Sequence, residues 1–179
     1  MVVLGIDPSL ANTCIVVGEL SDKGFSPITY KVISTEKTQT KQIRASSDLI
    51  DRCREIHRAL EFFCEKYSPG MIFVETPSGS QSASAMKGYG VSCALIATLK
   101  PSPIEVTPTE VKMASVGVKT ASKKEMIDWA FDKYPSVGWE CRNGYPLNRM
   151  EHLADALAVI EAGVRTPEFI RLRAALGAL

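Results

Sequence analysis

The sequence predicts a mixed α/β fold, a five-stranded sheet with helices on both faces. Three observations predict it. Two short runs, Val2 to Ile6 and Met71 to Val74, are apolar throughout, as strands buried on both faces are, and each is followed by a carboxylate. The first three strand candidates follow one another with only tight turns between them, which calls for hairpins. The later ones are separated by segments of helical period, which calls for crossover connections.

The elements follow in order. Val2 to Ile6 is the first strand, ending at Asp7, and Pro8 to Asn12 is a turn. Thr13 to Leu20 is the second strand, Asp22-Lys23-Gly24 a second turn, and Tyr30 to Thr35 closes a three-stranded antiparallel meander. Leu49, Cys53, Ile56, Leu60, Phe63 and Tyr67 recur at steps of three and four and mark a helix, which Ser68-Pro69-Gly70 stops. Met71 to Val74 is a strand ending on Glu75. A Ser/Gly-rich stretch from Thr76 to Ser84 leads into a second helix, to about Lys100, and residues 104–106 form a short strand. Two capping boxes follow: Thr107-Pro108-Thr109-Glu110 opens a short helix and Ser122-Lys123-Lys124-Glu125 a longer one. Trp139 to Asn148 reads as irregular. Met150, Leu153, Leu157, Ile160 and Val164 mark a last core helix, and Pro167 begins a short C-terminal helix or tail. The expectation is one domain over residues 1–179, with its core at about 2–163 and a terminal helix or tail over 164–179.

Composition narrows the classes. The chain has 179 residues, 45% hydrophobic and 23% charged, which fits a globular protein and excludes a disordered or fibrous one. A net charge of +1, from 21 basic and 20 acidic residues, leaves any nucleic-acid contact to a local patch. The five cysteines form no CxxC pair, so a zinc ribbon and a thioredoxin-type motif are excluded. Reduced thiols in a cytoplasmic chain are the simplest reading. The N-terminus has no basic segment before its apolar run and reads as no signal peptide. The longest apolar run, Cys93 to Leu99, is too short to span a bilayer, so no membrane partner is expected.

Four positions stand out chemically: Asp7, Glu75, His152 and Asp155. If the strands ending at Asp7 and Glu75 are parallel neighbours, their carboxylates meet at the sheet edge where open α/β folds place sites. His152 and Asp155 are three residues apart and share a helix face, and Glu151 is placed to join them. Such a cluster repels itself unless protons or cations compensate it. Oxygen donors with one imidazole suit Mg²⁺ or Mn²⁺, and two such ions can activate a water and stabilise a leaving phosphodiester oxygen. Each residue also has a plainer reading: Asp7 and Glu75 as turn residues, His152 as a half-buried or capping histidine. Asp155 is less ordinary, because an unpaired carboxylate on a small apolar helix face is costly. Lys112, Lys119, Lys123 and Lys124 form the basic element. Lys119 and Lys123 flank a helix N-terminus, which favours phosphate, although a solvated lysine face is the default for such a cluster. Thr76 to Ser84 lacks the lysine of a phosphate-binding P-loop.

Several of these segments resemble those of RuvC-type Holliday junction resolvases. Gly5-Ile6-Asp7-Pro8-Ser9 resembles their opening strand and Phe73-Val74-Glu75 their second acidic strand. Val111-Lys112, Val116-Gly117 and Ser122-Lys123-Lys124 are similar to their basic segment, and His152 to Ala158 to their closing acidic helix. Order and separations agree over about residues 2–163. The resemblance implies a ribonuclease-H-like fold, a homodimer, and paired symmetric nicking of four-way DNA junctions with two Mg²⁺ or Mn²⁺ ions per site. It makes Asp7, Glu75 and Asp155 the metal-binding carboxylates. His152 becomes a further ligand or the group that transfers a proton to or from the nucleophilic water. Lys112 and Lys123 match lysines that contact DNA or support catalysis. Departures from the pattern are Ser9 and Cys14 where the family has glycine, and a shortened loop after Glu75 with Ser78 about where an aromatic often wedges against the junction. A phage-encoded branch would tolerate such drift. Two other readings remain: a nuclease of the same fold acting on RNA–DNA hybrids or other branched DNA, and a junction-binding protein without catalysis, which the presence of all three carboxylates disfavours. An ATPase of the actin type needs a second lobe and a second phosphate loop that this chain lacks.

Overall fold

Strand β1 (Val2–Asp7) lies at the centre of a five-stranded sheet, in a computed structural model that describes residues 1–39, 42–77 and 82–177. On one side β2 (Asn12–Ser21) pairs antiparallel with β1 and carries β3 (Gly24–Ser34) at the edge. On the other, β4 (Met71–Glu75) pairs parallel with β1 and carries the parallel β5 (Ile104–Val106). The sheet is mixed, as expected. Helices α1 (Ala45–Tyr67) and α2 (Ala83–Ala97) make the two crossovers, from β3 to β4 and from β4 to β5. Helices α3 (Pro108–Ser115), α4 (Lys123–Lys133), α5 (Glu151–Gly163) and α6 (Pro167–Leu176) follow. Among the described residues no helix is long and apolar enough to cross a membrane.

Strand alternation sorts the core into two layers. Leu4, Ile6, Ile72 and Val74 pack with Ile56, Leu60 and Phe63 of α1 and with Leu95 and Ile96 of α2. Val3, Val16 and Phe73 point the other way, into a layer with Val111, Met126, Leu153 and Leu157 from α3, α4 and α5. Both capping boxes close as expected. Thr107 Oγ1 accepts from Glu110 N while Glu110 Oε2 accepts from Thr107 N, and Ser122 and Glu125 repeat the pattern.

Helix α5 is buried almost all round because Ala154, Ala156, Ala158 and Ala162 let it lie between the sheet and α3 and α4. Its approach to β1 is close. A Cβ on Gly5 would stand 2.6 Å from the Ala156 carbonyl oxygen and 2.5 Å from Ile160 Cγ1, so only glycine fits there.

The sequence reading falls short in two places. The third strand is longer than expected, starting at Gly24 and running through Pro27. Proline is tolerated because β3 is an edge strand and the register with β2 shifts between Val17 and Gly18. The segment 139–148, expected to be irregular, holds a small hairpin of β6 (Cys141–Arg142) and β7 (Tyr145–Pro146), followed by a single 3₁₀ turn (Asn148–Met150). Of the helix or tail expected from Pro167, the helix is what forms, capped by Thr166 Oγ1 and anchored where Phe169 meets Phe73 with ring centroids 5.8 Å apart. Ser78 lies outside the described residues.

Candidate active site

Parallel pairing of β1 with β4 sets Gly5 opposite Phe73 and Ile6 opposite Val74, so the next residues, Asp7 and Glu75, emerge together at one edge of the sheet. Both follow the two-residue period of Val3 and Phe73 and therefore face the α5 layer. Helix α5 crosses that face over Gly5 and brings His152 to Asp7, with Nδ1 3.2 Å from Asp7 Oδ2. The other ring nitrogen, Nε2, is 3.7 Å from Glu151 Oε1, and Glu151 Oε2 in turn receives Lys123 Nζ at 2.6 Å.

The four predicted residues thus form one electrostatic unit. Burial, reinforced by the charges of Asp7 and Asp155, pushes the Glu75 carboxyl up to about 8, with Lys112 opposing it. Burial and the Asp7 charge push Asp155 up to about 7, with His152 and Lys123 opposing. The His152 imidazolium is favoured, chiefly by its hydrogen bond to Asp7. Cys14, opposite Asp7 in the β1–β2 pairing, has its thiol raised well above the usual range, first by burial and then by Asp7 and Asp155. It is a protonated core thiol and no nucleophile.

Among the described residues no three His, Cys, Asp or Glu side chains close on a single point tightly enough to make a metal shell by themselves. The donor set still fits a hard divalent cation. Mg²⁺ is held through one or two carboxylates together with waters and substrate phosphates rather than in an all-protein cage. The raised Glu75 and Asp155 values show an anionic cluster short of positive charge.

The basic residues divide. Lys112, half-buried on α3, acts on Glu75, and Lys123 reaches the site through Glu151. Lys124 turns to Asp128 on its own helix instead. Lys119 is exposed in the loop before α4 and makes no ion pair among the described residues. The α4 N-terminus, expected to attract phosphate, already holds the Glu125 carboxylate on the Ser122 N–H, so the lysine side chains, not that helix end, carry the local positive charge.

Sequence reasoning missed the far wall of the site. A cavity of about 350 Å³ beside His152 is lined by Tyr30, Glu140, Arg149 and Glu151. Tyr30 donates its hydroxyl to the Gly138 carbonyl at 3.2 Å, and Arg149 pairs with Glu140. These residues come from β3 and from the segment before α5, and no spacing in the chain links them.

The family model of crossover junction endodeoxyribonuclease RuvC matches residues 3–129. The chain belongs to the RuvC family. It is accordingly a nuclease of the crossover-junction class. RuvC of Prochlorococcus marinus is 29% identical over 168 residues, which is 92% of this chain and 98% of that one, a span long enough to include the α5 residues. RuvC of Chlorobium phaeobacteroides is 32% identical over 130 residues, 70% of this chain and 65% of that one. Among solved structures, Thermus thermophilus RuvC in complex with a Holliday junction substrate overlays with a TM-score of 0.67 at 21% identity, covering 90% of this chain and 92% of that chain. The yeast mitochondrial Holliday junction resolvase gives 0.59 at 16% identity, covering 97% and 83%. These two likenesses establish the fold, in agreement with the ribonuclease-H-like expectation.

Proposed function

We propose that this RuvC-family chain resolves four-way DNA junctions by paired, symmetric phosphodiester nicks, with Asp7, Glu75, Asp155 and His152 as its catalytic set. One observation carries the reading. Two parallel strands end on carboxylates side by side, and the helix lying over them brings a third carboxylate and a histidine bonded to the first.

Asp7, Glu75 and Asp155 would hold Mg²⁺ or Mn²⁺, two ions per site, which when bound lower the pKa of a water and offset the phosphate charge. The protein's own groups have distinct parts. The bond from His152 Nδ1 to Asp7 fixes the ring and leaves Nε2, facing Glu151, as the nitrogen that exchanges a proton. Of the two roles open to His152, the geometry favours proton transfer. Lys112 acts on Glu75 and Lys123 on Asp155, and their ammonium groups stabilise charge developing on the scissile phosphate. Lys119 and Lys124 are outward-facing and bind DNA backbone.

Two symmetric nicks need two sites facing one junction, which a C2 homodimer supplies. The Ala83 to Leu99 segment remains the proposed interface. Ser92, Leu95 and Ile96 face the core, while Met86 and Ala94 are exposed and Gly90 has open space where a Cβ would stand. Beside them, Ile50 on α1 completes a largely apolar groove of about 520 Å³. Five unpaired cysteines support an intracellular, reducing location.

The test is purified protein against a labelled four-way junction, linear duplex and RNA–DNA hybrid, each with Mg²⁺, Mn²⁺ or chelator. Junction-selective, metal-dependent cuts at symmetric positions are expected. Asp7→Asn should bind junction but cut at least 100-fold more slowly, since it removes a charged ligand and keeps its shape (roughly the scale of losing one catalytic electrostatic contact). Preferential cutting of the hybrid would overturn the reading, as would wild-type cleavage by Asp7→Asn. A monomer in sedimentation with junction present would overturn the dimer.

A further inference from the structure

The β6–β7 hairpin is unusual for so small an element. It is built to be rigid and to hold one aromatic ring in solvent. Asn143 and Gly144 both have positive φ, 53° and 81°, which is what a two-residue type I′ turn requires and what an Asn-Gly pair supplies at least cost. Cys141 pairs with Pro146 and Arg142 with Tyr145, and the Leu147 N–H donates to the Glu140 carbonyl at 2.9 Å to close the base. Trp139 and Leu147 pack on the core, Trp139 Nε1–H donates to the Tyr134 carbonyl at 2.8 Å, and Arg149 pairs with Glu140 across the root. All of this rigidity supports Tyr145, which is 74% exposed, the most exposed of the large hydrophobic side chains described. Leaving a large aromatic ring in water gains nothing for the fold.

Its surroundings say what the ring would meet. A groove of about 600 Å³ runs past Arg142, Asn143, Tyr145, Asn148 and Arg149. Arg149 also lines the cavity at His152, so the two hollows share that arginine as a wall. Helix α4, which carries Lys124, packs against β7, the strand that carries Tyr145. An exposed ring with Arg142 and Arg149 lining the same groove, next to the cavity at His152, matches the chemistry of a nucleic-acid strand whose backbone is held by charge and whose base lies on an aromatic face. Inside a duplex a base has no face to offer. At a branch point it does.

We infer that the 141–146 hairpin is a DNA-contact element whose Tyr145 ring stacks on an unstacked base at the branch point while Arg142 and Arg149 hold the adjoining phosphates. The inference rests on the junction-resolving reading and adds to it a residue that senses the branch. It is tested with Tyr145→Ala and Tyr145→Phe on a junction carrying 2-aminopurine at the branch, with a matched duplex as control. Melting temperatures should be unchanged, because the side chain is exposed. Tyr145→Ala should lose about tenfold in junction affinity and change duplex affinity less than twofold, the scale of one lost stacking contact. It should also lose the fluorescence change that wild type produces on binding. Tyr145→Phe should restore both. Wild-type affinity and fluorescence in Tyr145→Ala would overturn the hairpin's role while leaving junction resolution intact. A Tyr145→Phe variant as weak as Tyr145→Ala would overturn stacking, since the hydroxyl would then be the contact. Equal binding of junction and duplex by the wild type would overturn the junction reading and this inference with it.

Discussion

His152 Nδ1 lies 3.2 Å from Asp7 Oδ2, joining residues 145 positions apart in the chain. The bond exists because α5 crosses β1 at Gly5, where the Ala156 carbonyl comes so near that a Cβ has no room. The geometry of the proposed catalytic set is thus tied to a backbone contact two residues from the first carboxylate. The histidine is held by an acid on either side, Asp7 at one nitrogen and Glu151 at the other, and this favours its charged form.

Gly5→Ala should therefore damage stability and catalysis together. The new methyl would displace α5, at a cost of about 2 kcal/mol for overpacking, and carry His152 and Asp155 away from Asp7. Gly163→Ala is the control. Its Cβ would meet Phe73 Cδ1 at 2.0 Å, at the far end of α5 from His152. Both variants should melt roughly 6 °C lower. Only Gly5→Ala should lose single-turnover cleavage beyond its loss of folded protein. Equal residual activity in the two would refute the link between Gly5 and the site.

The raised carboxyls make stability depend on pH in the metal-free protein. Glu75 at about 8 and Asp155 at about 7 both lie above their unfolded values near 4. A group whose folded value is raised favours the fold fully below its unfolded value and loses that contribution as pH rises through the folded one. The melting temperature in chelator should accordingly fall between about pH 4 and pH 8, and His152, also raised, works in the same direction. Glu75→Gln, neutral at every pH, should flatten much of the slope and make the protein more stable at pH 8, by on the order of a few kcal/mol. Millimolar Mg²⁺ should raise the wild-type melting temperature at pH 8 and do much less for Glu75→Gln. A wild-type melting temperature that climbs from pH 5 to pH 8 in chelator would contradict the buried, self-repelling cluster.

What the sequence made visible follows from periodicity. Val2 to Ile6 and Met71 to Val74 announce themselves as strands, so the meeting of Asp7 with Glu75 hung on one condition, that the two strands be parallel neighbours, and the β1–β4 pairing meets it. The His152–Asp155 spacing likewise shows a shared helix face. The bond from His152 to Asp7 is not visible in this way, because it depends on how closely α5 lies on the sheet, which Gly5 and the alanines of α5 decide jointly. The β6–β7 hairpin escaped for a different reason. Its strands are two residues each, too short for any alternation to register, and its only signal was the Asn143-Gly144 pair. The lysines looked alike in sequence and differ in structure, since local partners, Asp128 for Lys124 and Glu151 for Lys123, decide where each charge points.

That division predicts different phenotypes for lysines that sequence alone would group together. Lys119 is exposed and without an ion pair among the described residues, so a phosphate bound there releases a counterion at no cost to an existing bridge. Lys119→Ala should reduce the slope of log affinity against log salt by about 0.9 and weaken binding alike for every junction sequence. Lys124 must first leave Asp128, a surface pair worth little, so Lys124→Ala should change the slope by less than Lys119→Ala does. Lys123 and Lys112 act on the carboxylates themselves. Their alanine variants should bind junction at mid-salt within about threefold of wild type yet slow the single-turnover cut about tenfold or more, the mark of charge stabilisation confined to the transition state. Junction affinity across a salt series, with cleavage at saturating protein, separates the two pairs. Four alanine variants that keep the wild-type slope and cleavage rate would mean that the lysines form one solvated face and that the DNA lies elsewhere.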